Sequence, residues 1–195
     1  MPADSFDSSY FGTPPWDIGR PQPALVRLAE TGQITGLVLD VGCGTGENAL
    51  YLAERGHDVV GIDGAPTAID KARTKAKERG LSAQFQVADA LKLPIPERLF
   101  DSVIDSGLFH VFPDDERVRL RDSLASVIRP GGTYFMMCFS EREPGNWGPR
   151  RVTQQEIRST FAVGWRVNYI EPSAFDTNMG NALAWLASIS RSEPR

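Results

Sequence analysis

The sequence predicts an α/β protein built on a mostly parallel sheet, and three features of the chain support this fold class. The apolar run that begins at Leu37 breaks at the acidic Asp40 and passes into a loop with glycine at every second position, at Gly42, Gly44 and Gly46. Strand-like and helix-like segments alternate along the chain, and several strand-like runs end at an acidic residue. This order is typical of βαβ units, whose parallel strands bring ligand-binding residues to one edge of the sheet.

Apolar residues at helical spacing, bounded by a polar or proline start and a glycine or proline stop, predict the helices. Pro66 and Gly80 mark one of them, because proline fits a first helical turn and glycine a left-handed end. The predicted helices span residues 24–31, 47–55, 66–79, 114–128 and 153–161. Short apolar or alternating runs predict strands at residues 37–41, 58–62, 83–88, 100–105, 133–139, 165–171 and 182–190.

The N-terminal segment reads differently from the rest of the chain. Residues 1–12 are polar, and we expect them to be loosely ordered without ligand. Residues 13–23 contain four prolines, which forbid a regular helix and predict a stiff, extended strap. Trp16 in this strap fits either a plug over the sheet edge or an aromatic wall of an active site. We therefore expect a strap or lid at residues 1–23 and a single domain at residues 24–195.

The charge balance argues against nucleic acid as the main partner. The chain has a formal net charge of −4 and a pI near 5.3, whereas phosphate neutralisation needs clustered lysine and arginine. The basic residues that do cluster lie at positions 71–79 on a predicted helix, where they are typical of a solvated face. The sequence has no apolar stretch of 18 residues and no signal-like start, so we expect a cytoplasmic protein without a membrane partner. Cys43 and Cys138 are too few for a disulfide framework or metal site, and we expect both to be small packing residues.

The glycine loop indicates the kind of ligand. Asp63 ends the second predicted strand, 21 positions after Gly42, close to the separation at which a carboxylate reaches ribose hydroxyls. The loop reads G-x-G-x-G rather than the G-x-G-x-x-G of pyrophosphate sites. A ligand with a ribose and a zwitterionic amino-acid tail, and no phosphate, fits this spacing better.

Residues 40–46 together with Asp63 resemble the nucleotide-binding motif of class I methyltransferases, which bind S-adenosylmethionine. The helix–RPGG–strand order between residues 114 and 139 is similar to the same family. The resemblance implies a Rossmann-like sheet of seven strands in the order 3-2-1-4-5-7-6, with strand 7 antiparallel and helices on both faces. It also implies that a carboxylate after strand three accepts the adenine amino hydrogen while the next N–H meets a ring nitrogen, which matches Asp89 and Ala90. A simple turn cap is the alternative role for Asp89.

The strap segment P-W-D-x-G-x-P at residues 15–21 is similar to a narrower group. This group contains thiol, halide and thiopurine methyltransferases and small bacterial enzymes that methylate hydroxyquinolone-type heterocycles. In such enzymes the strap closes over the methyl donor, with the tryptophan beside it.

These arguments give two sets of candidate site residues. The cofactor-binding candidates are Trp16, Asp40, Gly42, Cys43, Gly44, Gly46, Asp63, Asp89, Ala90 and Asp105. The acceptor-pocket candidates are Tyr10, Phe11, Trp16, Phe109, His110 and Trp147. Asp105 fits either the donor's ammonium or a cap. His110 is the candidate catalytic residue, which could deprotonate or orient an acceptor, or simply be a hydrogen-bonded loop residue. No metal site is expected.

The expected function is S-adenosylmethionine-dependent transfer of a methyl group, by in-line displacement, to a thiol, halide or hydroxyl of a small apolar or aromatic molecule. An acceptor that is already ionised needs no base, whereas a neutral hydroxyl needs one. Two alternatives stay open: an NAD(P)-dependent oxidoreductase and a non-catalytic protein that binds an adenosyl ligand. The oligomeric state cannot be predicted from the sequence.

Overall fold

The computed structural model describes residues 3–193, and this part of the chain contains one seven-stranded sheet. The strands are β1 (Val38–Val41), β2 (Val59–Asp63), β3 (Gln84–Val87), β4 (Phe100–Ser106), β5 (Ile128–Phe139), β6 (Trp165–Thr177) and β7 (Gly180–Arg191). The helices are α1 (Ala3–Ser9), α2 (Pro23–Glu30), α3 (Glu47–Glu54), α4 (Pro66–Arg79), α5 (Asp114–Val127) and α6 (Gln154–Thr160). Short 3-10 turns span Ala90–Lys92 and Phe109–Val111.

The strand order is β3-β2-β1-β4-β5-β7-β6, which confirms the order that the family resemblance implies. Strands β1 to β5 pair in parallel, and β7 runs antiparallel to both β5 and β6. The order reverses between β1 and β4, so a crevice opens at their carboxyl ends. Within residues 3–193 no helix is both long enough and apolar enough to cross a membrane.

Both faces of the sheet are covered, which explains why its central strands are apolar without alternation. Along β5, Phe135, Met137 and Phe139 pack into a cluster with α2, α3 and α4. The intervening residues pack into a second cluster with α5 and α6 on the other face. Cys43 belongs to the first cluster and Cys138 to the second, and both are buried thiols, as expected of packing residues.

The N-terminal segment is more regular than the sequence predicts. Residues 3–9 form α1, whereas a loosely ordered segment was expected. The Asp7 carboxylate accepts hydrogen bonds of 2.8 Å from the N–H of Thr67 and 3.1 Å from its hydroxyl, at the start of α4. A carboxylate at this position satisfies free N–H groups and interacts favourably with the positive end of the helix dipole. The contact between Asp7 and the start of α4 therefore orders the N-terminal segment.

The last two strands are longer than predicted. β6 and β7 pair from Trp165 with Arg191 to Thr177 with Gly180, with one register shift between Val167 and Tyr169. Pro172 is tolerated because β6 is the edge strand and needs no donor on its outer side. β5 likewise begins at Ile128 rather than Thr133, with an irregular register opposite β4.

Candidate active site

The glycine loop lies at the carboxyl end of β1 and is held to β2 by backbone bonds. The N–H groups of Gly42 and Cys43 both donate to the carbonyl of Ile62, at 2.8 and 2.9 Å. Gly42 has φ +71°, and a Cβ there would lie 2.9 Å from the Cβ of Leu108. Glycine is therefore required both by the backbone conformation and by the close approach of the loop that follows β4.

Asp63 connects the glycine loop to the end of β2. One carboxylate oxygen accepts from the N–H of Gly44 at 2.9 Å, and the other accepts from Ala65 at 2.8 Å. Burial raises the pKa of this carboxyl, and the backbone N–H groups of Ala65, Gly44 and Gly64 oppose the shift. Each oxygen keeps a second lone pair for a ligand, so Asp63 shapes the loop and can still accept from hydroxyl groups.

Asp40 is the buried carboxyl at this edge without a partner. It is fully buried, and neither of its oxygens accepts a hydrogen bond of ordinary geometry from the described residues, although the backbone N–H of Ala49 is near enough to oppose the rise of its pKa. Burial, together with the nearby carboxylates of Asp105 and Asp63, raises the pKa of Asp40 to about 8. A buried polar group is normally satisfied, so the two oxygens of Asp40 are an exception among the buried groups at this edge of the sheet.

The strap covers the crevice. The crevice encloses about 60 Å³, which is small for a ligand site, and Trp16, Asp17 and Ile18 of the strap line it. Tyr10 is buried, and Trp16, at 40% exposure, donates from its indole nitrogen to the Tyr10 hydroxyl at 3.0 Å. The hydroxyl of Thr45 donates to Asp17 at 2.8 Å, and Lys75 donates to the same hydroxyl at 2.7 Å.

The β6–β7 hairpin holds the other side of the strap. Asn178 donates from its backbone to Pro15 at 2.8 Å and from its side chain to the Asp17 carbonyl at 2.9 Å. Arg20 forms an ion pair of 2.7 Å with Asp176. Sequence reasoning missed several residues that line the crevice: Asp17, Ile18, Arg20, Gln22, Asn48 and Ser106. Most of these residues are close in sequence to Trp16 or to the glycine loop, and Ser106 follows Asp105. This closeness in sequence could have predicted them.

Two further candidates at this edge act as caps. Asp89 is exposed and accepts from the N–H of Leu91 at 2.9 Å, while Ala90 is buried beside it. Asp105 is fully buried and accepts from the N–H groups of Leu108 at 2.7 Å and Phe109 at 3.1 Å.

The Tyr134 hydroxyl also donates to Asp105, at 2.5 Å. Burial raises the pKa of Asp105 to about 7, against the lowering effect of these donors. Its geometry matches the capping role rather than contact with a ligand ammonium.

His110 lies in the loop after β4, where its ring belongs to a cluster of aromatic side chains. Its ring centre lies 5.2 Å from that of Phe139 and 6.0 Å from that of Phe175, and Trp147 packs edge-on against Phe139 at 5.3 Å. We call His110, Phe139, Trp147 and Phe175 the aromatic cluster. Trp147 is partly exposed, whereas His110, Phe139 and Phe175 are buried.

The protonation state of His110 follows from its contacts. Its Nδ1 accepts a hydrogen bond of 2.9 Å from the N–H of Phe139. Burial, with the positive charges of Arg117 and Arg151, lowers the pKa of His110 to about 3. A neutral imidazole whose Nδ1 accepts must carry its proton on Nε2, so His110 presents a hydrogen-bond donor. Nε2 lies 3.2 Å from where a Cβ on Gly107 would stand.

The structure separates the predicted acceptor-pocket residues. Phe109 was expected to line the pocket, but its ring is fully buried in the second core cluster, 6.1 Å from Phe161. This expectation was wrong because the 3-10 turn directs neighbouring side chains to opposite faces. Tyr10 lines the crevice beside the glycine loop, and Phe11 is 79% exposed. Phe139 and Phe175 were missed, since a sequence pattern does not distinguish them from ordinary core residues.

Comparison with known proteins identifies the family. A family model described as a methyltransferase domain matches residues 38–132. The 2-heptyl-1-hydroxyquinolin-4(1H)-one methyltransferase of Mycobacteroides abscessus is 41% identical over 186 residues, covering 90% of this chain and 82% of the relative. The probable thiol methyltransferase 2 of Arabidopsis thaliana is 29% identical over 152 residues, covering 77% of this chain and 67% of the relative.

Solved structures agree with this grouping. A structure from work on the conversion of a disulfide bond into a thioacetal group during echinomycin biosynthesis has a TM-score of 0.92 and 39% identity, covering 98% of this chain and 93% of that one. Magnesium protoporphyrin IX methyltransferase from Synechocystis, with bound S-adenosylhomocysteine, shares the fold with a TM-score of 0.69 at 21% identity, covering 87% of this chain and 80% of that one.

The crevice fits the cofactor of this family. The unpartnered Asp40 carboxyl suits a ligand ammonium, and the loop from Gly42 to Gly46 lets a ligand lie against backbone without Cβ atoms between them. The chain therefore belongs to the class I S-adenosylmethionine-dependent methyltransferases, and it is a small-molecule methyltransferase with S-adenosylmethionine as its cofactor.

Proposed function

We propose that this enzyme methylates an oxygen or sulfur that is already ionised at neutral pH, with an acidic hydroxyl on an aromatic heterocycle as the preferred acceptor. The observation that carries the proposal is the bond from the Phe139 N–H to Nδ1 of His110. Of the acceptors expected from the sequence, this choice favours hydroxyl over thiol and halide. The family assignment leaves no ground for the NAD(P)-dependent alternative.

His110 is poorly suited to act as a base. Its Nδ1 is occupied, its Nε2 carries the proton, and its pKa of about 3 makes proton uptake near neutral pH unfavourable. As a donor, however, Nε2–H can bind an anionic acceptor atom and orient it. The acceptor must therefore arrive without a proton that needs removal.

The cofactor, when bound, supplies a methyl group on a sulfonium, which is already activated for displacement. An anionic acceptor forms the new bond with its own electron pair, and the electrons of the broken carbon–sulfur bond remain on sulfur. No proton transfer is needed. The protein's part is to align the acceptor and exclude water, and we assign this part to the strap and the aromatic cluster.

The surroundings of His110 favour a flat, anionic acceptor. Phe139, Trp147 and Phe175 offer ring faces and edges for an aromatic molecule. Arg151 lies 5.7 Å from the Phe139 ring centre and 5.8 Å from that of Trp147. It holds the loop after β5 by donating to the Pro149 carbonyl at 2.8 Å, and its charge favours an anion nearby. The M. abscessus relative is named for a hydroxyquinolone of this kind.

On the cofactor side, we assign Asp40 to the methionyl ammonium and Asp63 to the ribose hydroxyls. Asp89 and the N–H of Ala90 take the adenine edge, and Gly42, Cys43, Gly44 and Gly46 form the floor. Residues 1–23 act as the strap and residues 24–195 as the methyltransferase domain, of which residues 1, 2, 194 and 195 lie outside the described part. Trp16, bonded to Tyr10, closes the crevice.

A second candidate is methylation of a neutral sulfur, as in a disulfide. The structure at 39% identity comes from work on such a disulfide, and a neutral sulfur also needs no base. Its product would be a sulfonium close to Arg117 and Arg151, which like charges disfavour. We therefore rank it below the anionic acceptor.

A radiolabelled methyl-transfer assay tests the proposal. The panel contains a 1-hydroxyquinolin-4-one, a small aromatic thiol, iodide, a cyclic disulfide, and phenols of one shape but graded acidity. We expect kcat/KM to rise as the acceptor's own hydroxyl ionises, with no additional step near the ordinary histidine pKa. Equal turnover of a weakly acidic and a strongly acidic phenol of the same shape at pH 7 would contradict the proposal.

A further inference from the structure

Arg117 is a charged residue with an unusual burial. It lies on α5, its side chain is 1% exposed, and its guanidinium stands 4.7 Å over the ring of Phe109. One guanidinium nitrogen, Nη2, is fully buried without a partner among the described residues. A buried donor without a partner costs stability, so a contribution of Arg117 to the nearby site would explain its presence.

The partners that Arg117 does have lead to the 3-10 turn Phe109–Val111, which carries His110. Its Nε donates to the carbonyl of Phe109 at 3.2 Å, and this carbonyl belongs to the peptide that enters His110. Its Nη1 lies 3.3 Å from Glu156. Glu156 is itself fixed, because it accepts from the N–H of Thr153 at 2.7 Å in the capping box of α6. The guanidinium therefore joins two helices to the backbone of the His110 turn.

The charge of Arg117 acts on the imidazole as well. Arg117 on α5 and Arg151 on the loop after β5 are the two charged residues that shift the titration of His110, and both disfavour its protonated form. The ring itself is oriented from the other side by the Phe139 N–H. Two separate elements thus keep His110 in one orientation and one tautomer.

We propose that Arg117 is a positioning residue of the methyl-transfer reaction, which holds His110 in place as a neutral Nε2–H donor toward the anionic acceptor atom. This inference rests on the proposed function for the role of that donor. Arg117 itself touches neither the acceptor nor the cofactor.

Three variants test this role. Arg117→Met removes the charge and the bond to Phe109, while Arg117→Lys retains a positive charge without the guanidinium's planar fork. Arg119→Met is the matched control, because Arg119 lies on the same helix with a side chain 57% exposed and paired to Glu116. The full-length enzyme is used throughout, and the dissociation constant of S-adenosylhomocysteine checks that the cofactor site is intact.

The first readout is NMR of the ring nitrogens of His110 across pH. We expect the wild type and Arg119→Met to show the Nε2–H tautomer and no protonation above pH 5. In Arg117→Met the pKa of His110 should rise and the second tautomer should appear, whereas Arg117→Lys should keep the low pKa. This readout needs no acceptor, so it stands whether or not the proposed acceptor is correct.

The second readout is kinetics with an acceptor that the panel above identifies. We expect Arg117→Met to lower kcat/KM about 10-fold to 100-fold, as misplacement of a group by an ångström does. Cofactor affinity should stay within about two-fold of the wild type, and Arg119→Met should behave as the wild type. A folded Arg117→Met enzyme with unchanged His110 titration and unchanged kcat/KM would overturn the inference.

Discussion

The Thr45 hydroxyl in the glycine loop donates a 2.8 Å hydrogen bond to the carboxylate of Asp17 in the strap. Lys75 on α4 donates to the same hydroxyl at 2.7 Å and to Glu47 at 2.8 Å. The residue that follows Trp16 is thus tied to the loop that forms the cofactor floor. Strap closure and the shape of the glycine loop are consequently linked through one chain of bonds.

We expect Asp17→Ala to loosen the strap. The loss of one hydrogen bond of this kind is worth about 0.5–1.5 kcal/mol, so the affinity for S-adenosylhomocysteine should fall about 2-fold to 13-fold. Stopped-flow fluorescence of Trp16 should show that the change lies mainly in faster dissociation. Asp70→Ala is the control, because Asp70 is exposed and pairs with Arg73 on its own helix. Equal dissociation rates in both variants would show that the Asp17 bond does not hold the strap.

Asp63→Ala should weaken cofactor binding by about 1.5–3 kcal/mol through lost charge-assisted bonds to ribose. The same change also frees the N–H groups of Gly44 and Ala65, so Asp63→Asn, which can still accept from one of them, should lose less. Calorimetry with S-adenosylhomocysteine measures both. Unchanged affinity in a folded Asp63→Ala protein would contradict the ribose assignment.

Asp40 should make the stability of the ligand-free protein depend on pH. Its pKa of about 8 in the folded protein is raised above the value near 4 of an unfolded chain, so the folded state holds a proton that the unfolded state loses. The protonated Asp40 carboxyl therefore contributes to the free energy of unfolding at acid pH, and this contribution is lost as the pH rises through 8. Asp40→Asn cannot ionise and should therefore unfold at higher temperature than the wild type at pH 8.5, by about 2–4 °C per kcal/mol.

The same variant should bind S-adenosylhomocysteine less tightly, most clearly at pH 8.5, where the wild-type carboxyl is ionised and the amide cannot offer a negative charge to the ammonium. Thermal unfolding without ligand at pH 6 and pH 8.5 measures the stability of both proteins. Calorimetry at the same two pH values measures their affinity for S-adenosylhomocysteine. Asp105, with a pKa raised to about 7, contributes in the same direction, so part of the pH dependence should remain. A variant that is less stable than the wild type at pH 8.5 would refute this account of Asp40.

Gly46 and Gly56 form a matched pair, because both have φ +86°. A Cβ on Gly46 would lie 2.8 Å from the Phe85 ring, whereas nothing lies within 4 Å of one on Gly56. Gly56→Ala should cost about 1–2 kcal/mol of unfolding free energy from backbone strain alone. Gly46→Ala should cost about 1–3 kcal/mol more, because the core around Phe85 must shift. Urea denaturation measures both, and equal costs would show that Phe85 moves aside freely.

The fold was largely predictable because its signals are local. Glycine spacing, strand-end carboxylates and the Pro66 and Gly80 boundaries are properties of short segments, and the family resemblance supplied the strand order that these segments adopt. The misplaced boundaries depended on distant partners. α1 is ordered by Asp7 at the start of α4, and β6 extends to Thr177 because β7 pairs with it.

The sequence by itself determined the class of the protein and the position of its cofactor loop, since steric and periodic constraints act within a few residues. The acceptor side was decided by tertiary structure. The aromatic cluster joins His110 from the loop after β4, Phe139 from β5 and Phe175 from β6, and Arg117 reaches the same turn from α5. Whether a histidine accepts or donates depends on the hydrogen bond at its other nitrogen, and only the folded sheet brings the Phe139 N–H to Nδ1.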